Sequence, residues 1–441
     1  MVLSGRLVFV VEIVHYNSEV SAVKYWVILL ILIAPVFVGL LSGCGGGGGG
    51  GSAAVSSPDP PIVSLDQAKQ RSTWTVLVYL DADNNLESAG IRNFNQMEKI
   101  GSTQNVHVIV QMDRKSGLNA NNERWTDTRR YLVIRDSDEE VMHSIRLDDD
   151  PLGELNMGDW QTLKDFVEWG THEFPADHYC LVIWDHGTGW NFRTLDVEPK
   201  YKYIAVDDTD SHSMNVTEIP LALANVGIDV IAFDACYMQQ LEIAYELRNS
   251  ARYLVASTTT EPSPGYNYAR WLGRTNNTTS PEQLCKTIVS QYANEYPAPR
   301  NGITQSAVDL GMMDQLADAV DGFAQVLNAN SANYSSGLKI ARNTSLNYST
   351  SVGDTQRYCL DIMDYSKQCA SALGLNAEAA YAELADALDS AIIAEMHNPD
   401  MSKAYGLSVY VPPPGRYDVQ YGQLAIAANT YWNEWLIAQA E

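Results

Sequence analysis

Two short apolar runs in this 441-residue chain each stop on a polar triplet. Leu181-Val182-Ile183-Trp184 runs into Asp185-His186-Gly187, and Val230-Ile231-Ala232-Phe233 runs into Asp234-Ala235-Cys236. A short run that is apolar at every position is the pattern of a parallel strand covered on both faces. The carboxyl ends of such strands open at one sheet edge, where crossover connections leave a crevice. An imidazole on one end and a thiol on another then make an activated cysteine nucleophile, His186 serving as base for Cys236. Gly187 puts no side chain in the way and offers a backbone N–H. That group and the N–H of Cys236 are the two candidate oxyanion donors.

The rest of the chain alternates strand and helix signals. Residues 75–80 read as a buried strand, followed by Asp81-Ala82-Asp83-Asn84-Asn85-Leu86-Glu87 as a turn and helix cap, then by Ile91, Phe94 and Met97 at helical spacing. Strands are expected at 106–112, 253–257 and 304–310, and a hairpin at 130–135 and 141–146 around an acidic turn. Leu163, Phe166 and Val167 give 160–169 one apolar helix face, and helices are expected near 217–225, 242–247 and 281–292. Residues 191–215 read as a polar stretch. Helices dominate 313–397, before a late strand at 407–411 that stops at three prolines. The expectation is an α/β fold, an α/β/α sandwich with a mostly parallel central sheet. Residues 72–310 would form the catalytic domain, and 311–441 a mainly helical C-terminal extension with a late strand, packed on it.

The N-terminal part carries a different signal. An apolar stretch at 25–41 ends in Leu41-Ser42-Gly43-Cys44. Small residues ahead of a Cys after such a stretch resemble the bacterial lipobox, making 1–44 a signal peptide and Cys44 the lipidation site. The glycine run 45–51 and the Ser/Pro-rich residues beyond it read as a flexible tether over 45–71. The expected location is therefore the bacterial cell envelope, exported and held at a membrane by lipid. A net charge of −25 excludes a nucleic-acid partner. It is compatible with cationic substrates or bound calcium. The six cysteines, Cys44, Cys180, Cys236, Cys285, Cys359 and Cys369, include no pair at zinc-ligand spacing. Cys180 and Cys285 fit as small core residues, and spacing alone does not decide whether Cys359 and Cys369 pair.

Several blocks, in order, resemble the clostripain-type cysteine peptidases, which share the caspase-like fold. They are Trp184-Asp185-His186-Gly187-Thr188-Gly189-Trp190, Asp234-Ala235-Cys236-Tyr237-Met238 with Leu241-Glu242 and Ala244-Tyr245-Glu246-Leu247, and the segment Tyr79 to Glu87. Asn156-Met157-Gly158-Asp159, Val255-Ala256-Ser257 with Glu261-Pro262, and Gly406-Leu407-Ser408-Val409-Tyr410 extend the likeness over 73–441.

The resemblance implies cleavage of peptide bonds in proteins or peptides by a His186–Cys236 dyad through a thioacyl intermediate, with no third residue required. Asp185, adjacent to the base on its strand, should point to the other face and be structural. A preference for Arg or Lys before the cut would need carboxylates in the pocket. Asp234 shares the face of Cys236 and matches one such position as a substrate-binding residue. The second falls in Thr258-Thr259-Thr260, with Glu261 arriving later, which would weaken a basic pocket. The family also matures by cutting between the base and nucleophile strands, where Lys200 and Lys202 are the candidates and Arg193 is a further basic residue. No cofactor is needed for the chemistry, but calcium is implied for some members, and the runs 148–150 and 207–210 supply hard oxygen ligands without EF-hand spacing. Trp184, Trp190 and Tyr266 are aromatic candidates for the cleft. Two rival readings share the scaffold: a lipid-anchored, non-catalytic binding protein, and a cysteine-dependent acyl transferase.

Overall fold

The apolar runs lie in the middle of a nine-stranded sheet. The computed structural model describes residues 63–115, 122, 124–148, 150–190, 204–351 and 358–440. In chain order its strands are β1 (Ser72–Ala82), β2 (Val106–Arg114), β3 (Arg129–Leu132), β4 (Ile145–Arg146), β5 (Ala176–Trp184), β6 (Ile204–Asp207), β7 (His212–Met214), β8 (Ile228–Asp234), β9 (Ala251–Ala256), β10 (Thr304–Asp309), β11 (Cys359–Asp361), β12 (Ile392–His397) and β13 (Ser408–Tyr410). The large sheet has the order β12-β10-β9-β8-β5-β1-β2-β3-β4. From β2 to β9 every neighbouring pair is parallel, and antiparallel strands close both edges.

The pleat divides the core into two layers. Leu77, Tyr79, Leu181, Ile183, Ile231 and Phe233 face one side, against the helices Trp160–Glu173, Leu241–Glu246 and Met313–Thr344. Val76, Val78, Leu80, Val182, Trp184 and Val230 face the other, against Glu87–Glu98 and Pro281–Glu295. Continuous apolar strands follow from this arrangement, because neither face meets water. Chain order reverses at β1: β2 lies on one side of it and β5 on the other. The ends of β1 and β5 thus form a topological switch point, the usual place for a crevice.

Three expectations change. The polar stretch contains an antiparallel hairpin, β6 and β7, and the helix beyond it is a single turn, Ile219–Ala222. The region 313–397 is not wholly helical. The helix Glu378–Ala391 passes without a breaker into β12, which pairs antiparallel with β10 and completes the main sheet. The late strand, β13, pairs instead with β11 in a separate sheet, and the Ser408 amide donates to the Gln239 carbonyl at 3.2 Å, just past Cys236. The described residues form one compact unit.

A buried ion pair anchors the segment after β1. Glu87 opens its helix at zero exposure, and its Oε1 accepts from Nε and Nη2 of Arg114 at 2.9 and 2.8 Å. The same guanidinium donates through Nη1 to the Asn122 carbonyl at 2.7 Å and sits 4.5 Å from the Trp125 ring. Removing one partner strands a charge in the core, so Glu87→Ala should lower unfolding free energy by about 3 to 5 kcal/mol. Denaturant titration checks this, and a loss below about 1 kcal/mol, the scale of an exposed pair, would show that the pair is not holding the segment.

Candidate active site

β5 and β8 are parallel neighbours in a register that places Trp184 opposite Asp234, their last residues. His186 and Cys236 therefore each lie two residues past the same level, on the face of the sheet that Trp184 occupies. Both line one cleft, together with Leu86, Thr260 and Glu261. His186 is half-buried, and its Nε2 lies 2.9 Å from Asn85 Oδ1. Burial lowers the proton affinity of the ring, with the Asp208 carboxylate acting the other way. Lys115 pairs closely with Asp208.

The thiol is partly exposed and receives a backbone donor, the Glu261 N–H, at 3.2 Å from Sγ. Gly187 packs directly on the nucleophile: a Cβ there would lie 2.3 Å from the Cys236 carbonyl oxygen and 3.0 Å from its nitrogen. No residue with a side chain fits. Tyr237, next after Cys236, adopts φ +63°, an uncommon conformation for a bulky residue, and its N–H donates to the Thr259 carbonyl at 2.9 Å.

Asp185 points to the opposite face, as the pleat requires. It accepts from Asn84 Nδ2 at 2.7 Å and closely from the Val206 N–H, while Asn84 Nδ2 also donates to the Val206 carbonyl at 2.9 Å. This carboxylate therefore straps β6 onto the ends of β1 and β5. Asp234 is buried at the cleft floor, where it accepts from the Tyr266 N–H at 3.0 Å and the Tyr268 hydroxyl at 2.9 Å. Gly265, at φ +80°, makes room for it, since a Cβ would fall 2.1 Å from Oδ1.

The structure supplies a second carboxylate from Glu261, the acidic residue that arrives after Thr258-Thr259-Thr260. The side chain of Glu261 lies against Asp234 within hydrogen-bonding reach, and neither of its oxygens reaches solvent. Burial pushes Asp234 up to about 6, and burial together with the Asp234 charge pushes Glu261 well above the usual carboxylate range. The family resemblance puts the second acidic position at Thr258–Thr260 instead. The hydroxyls of Thr258 and Thr259 are turned toward Thr304 and the Gly302 carbonyl, and the chain comes back to the cleft only at Thr260 and Glu261.

Of the three aromatic candidates, Trp184 lines the cleft. Trp190 is buried against Tyr410 and Tyr421, with ring centroids 4.8 and 5.0 Å away, and Tyr266 is buried with its hydroxyl donating to the Phe233 carbonyl at 2.9 Å. Cys359 and Cys369 are both buried and not joined in a disulfide, Cys359 Sγ accepting from Gln240 Nε2 at 3.1 Å, and Cys180 and Cys285 are buried as well. The acidic runs do not act as units. Asp148 pairs with Arg146, Asp208 with Lys115, and Asp149 is outside the described residues. Asp207 instead meets Asp83 and Glu154, with one carboxylate oxygen from each lying within 4.8 Å of the others. Burial with mutual repulsion pushes Asp207 up to about 6 and Glu154 to about 7. Cys44, Arg193, Lys200 and Lys202 are outside the described residues. Among the described residues no helix is long and apolar enough to cross a membrane.

Comparison with known proteins gives the family and the fold. Clostripain from Hathewaya histolytica is 27% identical over 241 residues, which is 48% of this chain and 44% of that protein. The match thus spans less than half the length of that relative. Two crystal structures resemble nearly the whole described fold. One, a secreted C11 cysteine protease from Bacteroides thetaiotaomicron in complex with an irreversible peptide inhibitor, has a TM-score of 0.60 at 22% identity and covers 83% of this chain and 99% of its own. The other, an inactive zymogen C11 protease from Parabacteroides distasonis, has a TM-score of 0.62 at 21% identity and covers 82% and 99%. At that identity they show a shared fold, the caspase-like α/β/α sandwich. The sequence profile of the clostripain family matches residues 78–436, and with the fold and the paired strand ends in agreement the chain belongs to the clostripain family of cysteine peptidases.

Proposed function

We propose that this chain is a cysteine endopeptidase in which His186 and Cys236 act as the dyad. The observation that carries the reading is the β5–β8 register, which brings the two side chains to one cleft with a backbone N–H already on the sulfur. His186 takes the thiol proton, and the Cys236 sulfur attacks the peptide carbonyl carbon. The Gly187 and Cys236 N–H groups meet the oxyanion. Collapse breaks the C–N bond, and His186 delivers its proton to the departing amine. Water, deprotonated by His186, then hydrolyses the thioester and frees the thiol.

The substrate carries Arg or Lys before the cut. Asp234 and Glu261 form a buried acidic floor beside the nucleophile, and a cation placed there replaces a proton as the partner of two crowded carboxylates. The sign of the pH dependence follows. Asp234, pushed up to about 6, ionises only as pH rises through that value, while Glu261, raised further, holds its proton longer, so preference for Arg or Lys over Leu should grow as pH rises through about 6. Asp234→Asn should cut that preference about tenfold or more, the scale of one desolvated charge contact. Fluorogenic peptides differing only at this residue check both statements. Equal cleavage after Leu at all pH values would contradict them, and transfer of the acyl group to an added amine in preference to water would favour a transferase.

Outside the catalytic unit, we assign Cys44 as the lipid attachment site and 45–71 as the tether, which gives an exported protein held at the cell envelope. Maturation falls in 191–203, at Lys200 or Lys202. Supporting this, the flanks of that segment sit beside the dyad: Gly187 bridges to Ile204, and Trp190 is fixed through its N–H to Gln240 Oε1 at 3.0 Å.

Asp83, Glu154 and Asp207 suit a hard divalent cation such as calcium. Asp83 is fully buried, and its Oδ1 has no hydrogen-bond partner, an orphaned carboxyl oxygen that such an ion would satisfy. The ion would supply charge neutralisation, and Asp83 accepts the Thr209 N–H at 3.0 Å, so the β6–β7 hairpin would be tightened onto β1. Excess calcium should raise Tm in the wild type by mass action and leave Tm unchanged in Asp83→Asn. An equal rise in both proteins would overturn this assignment.

A further inference from the structure

We propose that Asn85 is the positioning residue for the base, holding the His186 ring by Nε2 so that Nδ1 is the proton-accepting nitrogen. The inference rests on the His186–Cys236 reading and adds a member to it. A neutral imidazole has two tautomers, and an acceptor on one nitrogen places the proton there and leaves the lone pair on the other. Asn85 Oδ1, 2.9 Å from Nε2, is such an acceptor. It serves both protonation states, because Nε2 carries a hydrogen in the neutral tautomer and in the imidazolium alike. The ring therefore keeps its orientation while the proton moves between sulfur, nitrogen and leaving group.

The local chain explains how an exposed asparagine comes to have this task. Asn84 is buried, bonded to Asp185 and Val206, and its Oδ1 accepts the Leu86 N–H at 2.8 Å. Asn85, the next residue, is turned outward over the cleft edge onto His186. One dipeptide thus braces both residues that follow β5, Asp185 on one face of the sheet and His186 on the other. The buried Glu87–Arg114 pair fixes the helix start just beyond. Bound peptide would cover this exposed hydrogen bond and strengthen it by excluding water.

Other charged groups near the ring do not replace this contact. Asp208 raises the ring's proton affinity from the hairpin side and is itself paired with Lys115. Asp185 is committed to Asn84 and Val206, and Asp234 and Glu261 lie against each other at the cleft floor. Cys236 is the remaining titratable partner in the cleft.

Because Asn85 is exposed, replacing it tests the hydrogen bond and not the packing. Asn85→Leu should lower kcat about 10- to 100-fold with KM changed less than about threefold, the scale of a misoriented catalytic group. Asn85→Asp, which keeps an acceptor of the same shape, should recover most of that loss. It should also move the limb of the pH–rate profile that reports His186 to higher pH, because a carboxylate stabilises the imidazolium. Wild-type kcat in Asn85→Leu would overturn the proposal, and so would an Asn85→Asp enzyme as impaired as Asn85→Leu. Full activity in His186→Ala or Cys236→Ala would instead overturn the dyad reading beneath it.

Discussion

The parallel pairing of β5 with β8 is the constraint on which the remaining geometry depends. Trp184 opposite Asp234 fixes the height at which both chains leave the sheet, so His186 and Cys236 emerge level and adjacent. The same pleat settles the neighbours. Asp234 shares a face with Cys236 and becomes the cleft floor, whereas Asp185 is thrown to the reverse face and straps down β6. A slip of one residue would exchange these roles and bury the imidazole under the hairpin. The buried apolar ends of the two strands hold the register, since a slip would also drive Ile183 and Phe233 into the wrong core.

Around that pairing the protein concentrates negative charge without equal compensation. Asp234 and Glu261 crowd the cleft floor, and Asp83, Glu154 and Asp207 form a second acidic group apart from it. Buried carboxylates without cationic partners are costly, and such a cost is tolerated mostly where a ligand relieves it. A basic side chain from the substrate relieves the first group, and a hard cation fits the second. The neutral Asn85 stands at the base, His186. An amide there orients the ring without adding a further negative charge to a cleft already rich in them.

Much of this was legible in the residues, for reasons that show where legibility stops. The strands that carry His186 and Cys236 announce themselves because burial on both faces forces an unbroken apolar run. The pleat then correctly separates Asp185 from Asp234. β6 and β7 went unseen because a short hairpin strapped down by Asp185 and Asp83 needs little apolar patterning of its own. β12 was hidden because the helix before it ends without glycine or proline. Glu261 lies beyond reach for a different reason: its place beside Asp234 depends on the path of the 257–265 loop, which spacing along the chain does not encode. Asn85 stood in a quoted block, but its partner is 101 residues away.

The central claim, that the Cys236 sulfur is the nucleophile in a cleft built for a basic side chain, is tested most directly by covalent capture. The protein from about Pro61 onward is treated with a peptidyl acyloxymethyl ketone bearing Lys, and the adduct is located by peptide mass mapping. The account predicts a single thioether on Cys236, formed faster than with the matching Leu reagent and lost when His186 is replaced. No adduct on Cys236 in folded protein, or one formed equally fast without His186, would contradict it.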